Sequence, residues 1–239
     1  MNTNHMGIAL AAFLILSTGT LTQAYAAYWH VGGSGTISNI VEVRGDVTVP
    51  PGPDDDAIGA TTLFWLGADL DGGTDYLAQP VLLAVSSVNG DWRGIFEIVS
   101  YTNPPVDTDY EFTNMYFDDG DEVFMDIVVF PSGIHQNEVW MQIDDKNTIY
   151  EANMFLDGAT YPTTMSKAWG ILESYDFTES DFAPMNDDID FTNIKKYTTL
   201  GGSSSSVSMS TFEWASSGSP PDCISSSAGS GWTTITVDC

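Results

Sequence analysis

The sequence predicts an all-β fold in which two antiparallel sheets form a sandwich or jelly roll. Short runs rich in β-branched and aromatic residues recur along the chain, and no comparable stretch has the apolar period of a helix. Clusters of Gly, Pro, Asn and Asp, which favour turns, separate these runs. Many short strands divided by turns are typical of both architectures.

The predicted strands follow one another with a turn signal after most of them. In chain order they are residues 41–49, 61–67, 81–88, 94–101, 123–130, 139–143 and 232–237. The turn signals read PPGP at 50–53, DGG at 71–73, NGD at 89–91, NPP at 103–105 and DG at 157–158. Each of them stands where a strand has to end.

The amino-terminal segment predicts a secretory signal peptide. Residues 1–26 contain no Asp, Glu, Lys or Arg, and an apolar stretch at 7–16 leads to the small-x-small pattern Ala24-Tyr25-Ala26. That stretch is too short to span a bilayer. We therefore expect a secreted protein whose residues 27–239 form a single β-sandwich domain with a disulfide-closed tail.

The charge of the chain excludes some classes of partner. Six basic and 33 acidic residues give a net charge of −27, which repels nucleic acid and anionic membranes. The acidity itself has three interpretations that the sequence leaves open: an acidic working medium, a high-salt medium, or solubility. Neither nucleic acid nor a membrane is expected as a partner, and we expect a monomer.

The two cysteines, Cys223 and Cys239, predict one disulfide that closes the tail. The three histidines are His5, His30 and His135, and the first leaves with the signal peptide. So few thiols and imidazoles do not favour a zinc site or a Ser-His or Cys-His nucleophile. We expect no cofactor and no metal centre of this kind.

One acidic segment resembles a calcium loop. Residues 69–75 read DLDGGTD, in which closely spaced carboxylates surround a glycine turn. The segment lacks the distal Glu of an EF-hand and the helices that would frame it. Calcium binding is therefore an alternative and not the main prediction.

Two further residues have ordinary structural interpretations when each is taken alone. Gln79 stands just ahead of an apolar strand, where a buried amide has to find hydrogen-bond partners. Glu97 alternates with Phe96 and Ile98, which predicts a solvent-facing carboxylate on the opposite face of its strand.

An ordered set of motifs nevertheless resembles the eqolisins, the secreted acid glutamic peptidases. No motif is decisive alone, but the set runs in the family's order from about residue 36 to 237. The matching segments are GDVTVP at 45–50, FWLGAD at 64–69, LAQPV at 77–81, FE at 96–97, GDEV at 120–123, FTN at 191–193 and GWTTITV at 231–237.

The resemblance implies a concanavalin-like β-sandwich with a cleft for an extended polypeptide across one concave sheet. In the family a Glu is the general base for a water molecule and a Gln amide stabilises the oxyanion. Gln79 matches the catalytic Gln, and Trp65 matches a tryptophan of the cleft wall. The other residues expected to line the cleft are Glu97, Asp69, Asp71 and Trp169.

The position of the catalytic Glu departs from the family pattern. The family has A-E-W-I-V-E where residues 166–173 read SKAWGILE. Aligning the tryptophans puts Ala168 at the catalytic position and matches Glu173 to the second Glu. Alternation puts Glu173 on the face opposite Ala168 unless Gly170 forms a bulge. Glu173 and Glu97 are therefore the candidates for a substitute base.

Three functions follow as hypotheses. The first is an acid glutamic endopeptidase with Gln79 as oxyanion stabiliser and a displaced base. The second is a non-catalytic secreted protein whose cleft binds a peptide or glycan. The third is an acidic structural or surface protein that binds calcium.

Overall fold

The computed structural model describes residues 28–52, 61–71, 76–84, 91–100, 109–136, 138–145, 148–155, 163–175, 185, 187–215 and 219–239. Over these ranges the chain forms fifteen β-strands. They are β1 (Tyr28–Ile40), β2 (Glu42–Thr48), β3 (Thr61–Asp71), β4 (Tyr76–Ala84), β5 (Trp92–Ser100), β6 (Asp109–Phe117), β7 (Glu122–Val129), β8 (Glu138–Asp144), β9 (Ile149–Phe155), β10 (Thr164–Tyr175), β11 (Asp188–Tyr197), β12 (Ser204–Ser206), β13 (Ser210–Ala215), β14 (Ile224–Gly229) and β15 (Trp232–Val237).

The strands form two antiparallel sheets, which confirms the predicted fold class. Sheet A has seven strands in the order β13-β1-β10-β3-β4-β5-β6. Sheet B has eight, in the order β14-β15-β11-β2-β7-β8-β9, with β12 paired to β11. Among the described residues no helix is long and apolar enough to cross a membrane.

The core lies between the sheets and is built by period-2 alternation. Phe64 of β3 packs on Trp92 of β5 with ring centroids 4.7 Å apart, and on Phe191 of sheet B at 6.2 Å. All three side chains are fully buried. Edge-to-face contacts of this kind add about 0.5–1.5 kcal/mol each to the stabilisation from buried area. The Phe64–Phe191 contact joins sheet A to sheet B, whereas the Phe64–Trp92 contact lies within sheet A.

Sheet A is also apolar on its outer face, the face turned away from sheet B. A second, smaller cluster of buried side chains covers this face. Its members are Leu63, Trp65, Leu77, Val81, Ile95 and Ile171, with Leu83, Val99, Trp169 and Phe212 packed around them. A sheet that is buried on both faces gives its polar side chains a water-poor environment.

Each of the seven predicted strands overlaps an observed one, but eight other strands in the described ranges were not predicted, among them β1 and β10, which pair with each other. The reason in β1 is its glycine content, which lowers β propensity. A Cβ on Gly33 would lie 2.1 Å from Thr233 Oγ1, and one on Gly35 would lie 2.6 Å from the Ser208 carbonyl oxygen. The glycines therefore allow sheet B to approach β1 closely, which composition alone does not reveal.

The predicted disulfide is confirmed. Cys223 and Cys239 are bonded across a separation of 16 residues, so the bridge ties the start of the β14–β15 hairpin to the last residue. In the chain-entropy description a loop of this size contributes roughly 3 kcal/mol. The predicted signal peptide, the end of the 81–88 run, the turns at 103–105 and 157–158, and residues 72–75 lie outside the described residues.

Candidate active site on the outer face of sheet A

Four of the residues singled out in the sequence lie on the outer face of sheet A. Alternation puts Trp65, Gln79, Glu97 and Glu173 on the side of the smaller apolar cluster, because their strand neighbours face the main core. The strands that carry them, β10, β3, β4 and β5, are adjacent in this order. Gln79 and Glu97 stand directly opposite each other in the β4–β5 register.

Gln79 and Glu97 form a buried hydrogen-bonded pair. The amide Nε2 of Gln79 donates to Oε2 of Glu97 over 2.5 Å, and the residues are only 3% and 7% exposed. The interpretation of Glu97 as a solvent-facing carboxylate was therefore wrong, because the face it occupies is itself apolar. Among the described residues, none is a hydrogen-bond partner for the buried Oε1 of Gln79. An unpaired buried acceptor costs roughly 1–3 kcal/mol, so its presence in a native fold calls for an explanation.

The environment of Glu97 changes its ionisation. Burial raises the pKa of Glu97 from its ordinary 4.5 to about 7, against the lowering effect of the Gln79 hydrogen bond. The negative charge of Glu173 raises the pKa of Glu97 further. Glu97 is therefore mostly protonated in moderately acidic solution. Perturbed carboxyl groups with a specific charged neighbour are common at functional sites.

Glu173 is held by two side chains from neighbouring strands. Trp65 Nε1 donates to Oε2 over 3.0 Å, and His30 Nε2 lies 3.1 Å from Oε1. The second contact is an ion pair and not an aligned hydrogen bond. Glu173 is 7% exposed, so these donors replace much of its hydration.

His30 is the residue of this group that the sequence did not reveal. It alternates with the core residues Trp29 and Val31, and it stands directly across from Glu173 in the β1–β10 register. The alternation is visible in the sequence. The identity of the neighbouring strand is not, because β1 and β10 are far apart along the chain.

The other expected cleft residues lie further along β3 and β10. Trp169 Nε1 donates to Asp69 Oδ1 over 2.8 Å, and Thr164 Oγ1 donates to Asp71 Oδ2 over 3.1 Å. The ammonium of Lys167 lies 3.6 Å from the Trp169 ring centroid. Asp69, Asp71 and Trp169 thus join β3 to β10 on the outer face, whereas Gln79 and Glu97 join β4 to β5.

Ala168 faces the core between the sheets and is fully buried. The β3–β10 register shifts between Met165 and Lys167 and then runs without interruption through Gly170 to Tyr175. Glu173 and Ala168 therefore lie on opposite faces, as alternation predicts without a bulge at Gly170. In this fold it is Glu173, and not the side chain at position 168, that lies on the same face of sheet A as the Gln79–Glu97 pair.

The arrangement is suited to acid–base chemistry by carboxyl groups. Within the ranges that the structure describes, no group of three or more His, Cys, Asp or Glu side chains could hold a metal ion. Two carboxyls with different surroundings and one amide with unused hydrogen-bonding capacity can hold a water molecule, supply a proton and stabilise an oxyanion.

Comparison with known proteins relates this fold to one group of solved structures. No family model and no curated protein matches the chain. A scytalido-glutamic peptidase with a peptide-based transition-state analogue is similar at 15% identity and a TM-score of 0.60, and one with a transition-state analogue inhibitor at 16% and 0.55. SCP-B, a member of the eqolisin family of peptidases in complex with the tripeptide Ala-Ile-His, is similar at 13% and 0.57.

Each similarity covers 89% of this chain and 98% of the other. The chain therefore has the β-sandwich fold of the eqolisin peptidases, as its motifs predicted.

Proposed function

We propose that this chain is an acid endopeptidase of the glutamic type, which hydrolyses extended polypeptides on the outer face of sheet A. The observation that carries the proposal is the buried Gln79–Glu97 pair with Glu173 acting on it electrostatically. The similar structures with a peptide-based transition-state analogue and a tripeptide support a polypeptide substrate.

Gln79 is the oxyanion stabiliser in this mechanism. A side-chain amide has two N–H groups, and one of those on Gln79 is used by Glu97. The other is free to donate to the oxygen of the scissile carbonyl as negative charge develops there. Loss of one such donor typically costs 10²–10³-fold in rate.

The two glutamates take opposite roles because their environments differ. Glu173, held by Trp65 and His30, is the base that accepts a proton from the attacking water. The water oxygen adds to the carbonyl carbon, and the Gln79 amide donates a hydrogen bond to the oxyanion that forms. Glu97, which is protonated below pH of about 7, gives its proton to the leaving nitrogen as the C–N bond breaks. A pair of carboxyls in different ionisation states is the usual basis for such a division of labour.

Trp65, Asp69, Asp71 and Trp169 are the proposed substrate contacts. They lie on β3 and β10 of the outer face, and Trp169 stands opposite Gly67 of β3, the part of β3 that is level with Gln79 on β4. A polypeptide lying across the strands would reach Trp169 from the reacting centre. Trp169 is partly exposed and is fixed in place by Asp69.

One observation favours a second candidate, a non-catalytic secreted protein that binds a peptide or glycan in the same cleft. Aligned by its tryptophan, the family motif carries its catalytic Glu at position 168, where this chain has a buried Ala. Loss of a general base typically lowers the rate by 10²–10⁴-fold. The two candidates differ in whether Glu173 performs that role.

Digestion of a denatured protein from pH 2 to 7 separates the two functions. We expect the mature chain to cleave in acid, the Gln79→Ala variant to lose at least 100-fold in rate, and Gln142→Ala to retain full activity. Gln142 is the matched control, because it is a half-buried glutamine on sheet B. No cleavage at any pH by a protein shown to be folded would reject the peptidase and leave the binding protein.

A further inference from the structure

The imidazole of His30 lies on the outer face of sheet A, beside Glu173. β1 and β10 pair with His30 directly opposite Glu173, and Nε2 and Oε1 are 3.1 Å apart. Because Trp65 Nε1 donates to the other oxygen, each oxygen of the carboxylate has a different polar neighbour. Contacts to both oxygens restrain the position and the rotation of the Glu173 carboxylate.

Aromatic rings hold the imidazole in turn. Trp214 lies directly opposite His30 in the β1–β13 register, with ring centroids 5.6 Å apart. Trp65 approaches the imidazole edge-on from the other side at 6.3 Å. His30 is therefore clamped between two tryptophans, one of which also binds Glu173.

We propose that His30 is a positioning residue for the base of the proposed reaction: it keeps the Glu173 carboxylate ionised and oriented toward the Gln79–Glu97 pair. The inference rests on the proposed function, and it adds to the site a residue that the motif comparison does not contain. It acts through Glu173 and not on the substrate.

Charge is the physical basis of this role. In acid an imidazole is a cation, and a cation within about 4–6 Å of a carboxyl favours the ionised form. Such a base would otherwise be protonated, and lost, in the medium where the enzyme is expected to work. Over the described residues, the other ionisable side chains on this face are Glu97 and Arg93 on β5, Asp69 and Asp71 on β3, Tyr116 on β6 and Lys167 on β10.

Two substitutions separate charge from shape. His30→Gln keeps a hydrogen-bond donor but removes the charge, and His30→Phe keeps a ring between the tryptophans but removes both. In each variant the acid limb of kcat/KM should move to higher pH, so that activity at pH 3 falls about tenfold relative to the variant's own maximum. Maximal kcat should fall less in His30→Gln than in His30→Phe, which should lose about tenfold in kcat with little change in KM.

A matched pair elsewhere in the molecule is the control. His135 Nδ1 lies 2.9 Å from Glu138 Oε1 in an exposed region. His135→Gln therefore removes a His–Glu ion pair of the same kind, and it should leave the pH profile unchanged.

A measurement independent of activity completes the test. The carboxyl resonance of Glu173 in ¹³C-glutamate-labelled protein, assigned with Glu173→Gln, should titrate at higher pH in His30→Gln than in the unmodified chain. If that midpoint and the acid limb are unchanged in both His30 variants, the inference is wrong even when the peptidase is active. If the midpoint moves but the unmodified chain cleaves nothing, His30 positions Glu173 and the proposed function fails instead.

Discussion

The outer faces of the two sheets each contain a buried carboxyl group whose pKa is about 7. On sheet A it is Glu97, and on sheet B it is Asp126 of β7, which is 6% exposed. Burial is the largest cause of the raised pKa in both, and a neighbouring carboxylate adds to it: Glu173 for Glu97, and Glu42 for Asp126. Ionisation alone therefore does not distinguish the two sites.

Their remaining neighbours do distinguish them. On sheet B, Arg44 stands opposite Asp126, contacts Glu42 over 2.6 Å and stacks on the Tyr197 ring at 4.1 Å. Arg44 lowers the pKa of Asp126 and of Glu42, although burial outweighs it in both. Glu97 instead pairs with the Gln79 amide, whose oxygen accepts no hydrogen bond from the part of the chain that the structure describes. On sheet B a cation therefore lies beside the buried acid, whereas on sheet A an amide does, and this difference is the one on which the proposed function depends.

The largest expected difference between the two faces is in catalysis. Glu97→Gln removes the proposed proton donor and should lower kcat for peptide cleavage at pH 4 by about 10²–10⁴-fold. Asp126→Asn is a matched neutral substitution of an equally buried acid, and its kcat should stay within about threefold. Equal losses in both variants would mean that Glu97 acts through folding alone.

The next effect is on stability, where the two faces should behave alike. A carboxyl whose pKa is raised by folding stabilises the folded state when protonated, and this contribution is lost as pH rises from about 4 to about 7. We therefore expect a lower free energy of unfolding at pH 8 than at pH 4.5, by up to a few kcal/mol per group.

Urea unfolding at the two pH values measures this difference. Glu97→Gln and Asp126→Asn should each reduce the difference in the free energy of unfolding between pH 4.5 and pH 8. Asp119→Asn, at an exposed position, should leave that difference unchanged. A stability that rises from pH 4.5 to pH 8 would contradict the account of both faces.

The smallest expected effect concerns Arg44, the cation beside Asp126 and Glu42 on sheet B. Arg44→Met should lower the free energy of unfolding by about 1–3 kcal/mol at pH 8, because Glu42 and Asp126 then lack their cation. The loss should be smaller at pH 4, where both carboxyls are protonated. Lys195→Met makes the same charge change opposite Arg44 in the β2–β11 register and should have little effect at either pH.

The sequence revealed the parts of this molecule whose signals are local. Alternating apolar runs predicted β2, β7 and β8, and the motif around Gln79 predicted the amide of the proposed site. The environment of Glu97 depends on Glu173 from another strand and on an apolar outer face, so alternation alone led to a solvent-facing interpretation. His30 was missed for the same reason, since its role depends on which strand lies beside β1.

The measurement that tests the central claim most directly compares two pH dependences. One is kcat/KM for an extended peptide between pH 2 and 9, and the other is the titration of the Glu97 carboxyl followed by ¹³C NMR. We expect cleavage in acid with an alkaline limb near pH 7 that coincides with the Glu97 midpoint. Cleavage that persists unchanged after Glu97 has lost its proton, or a folded protein that cleaves nothing, would contradict the account.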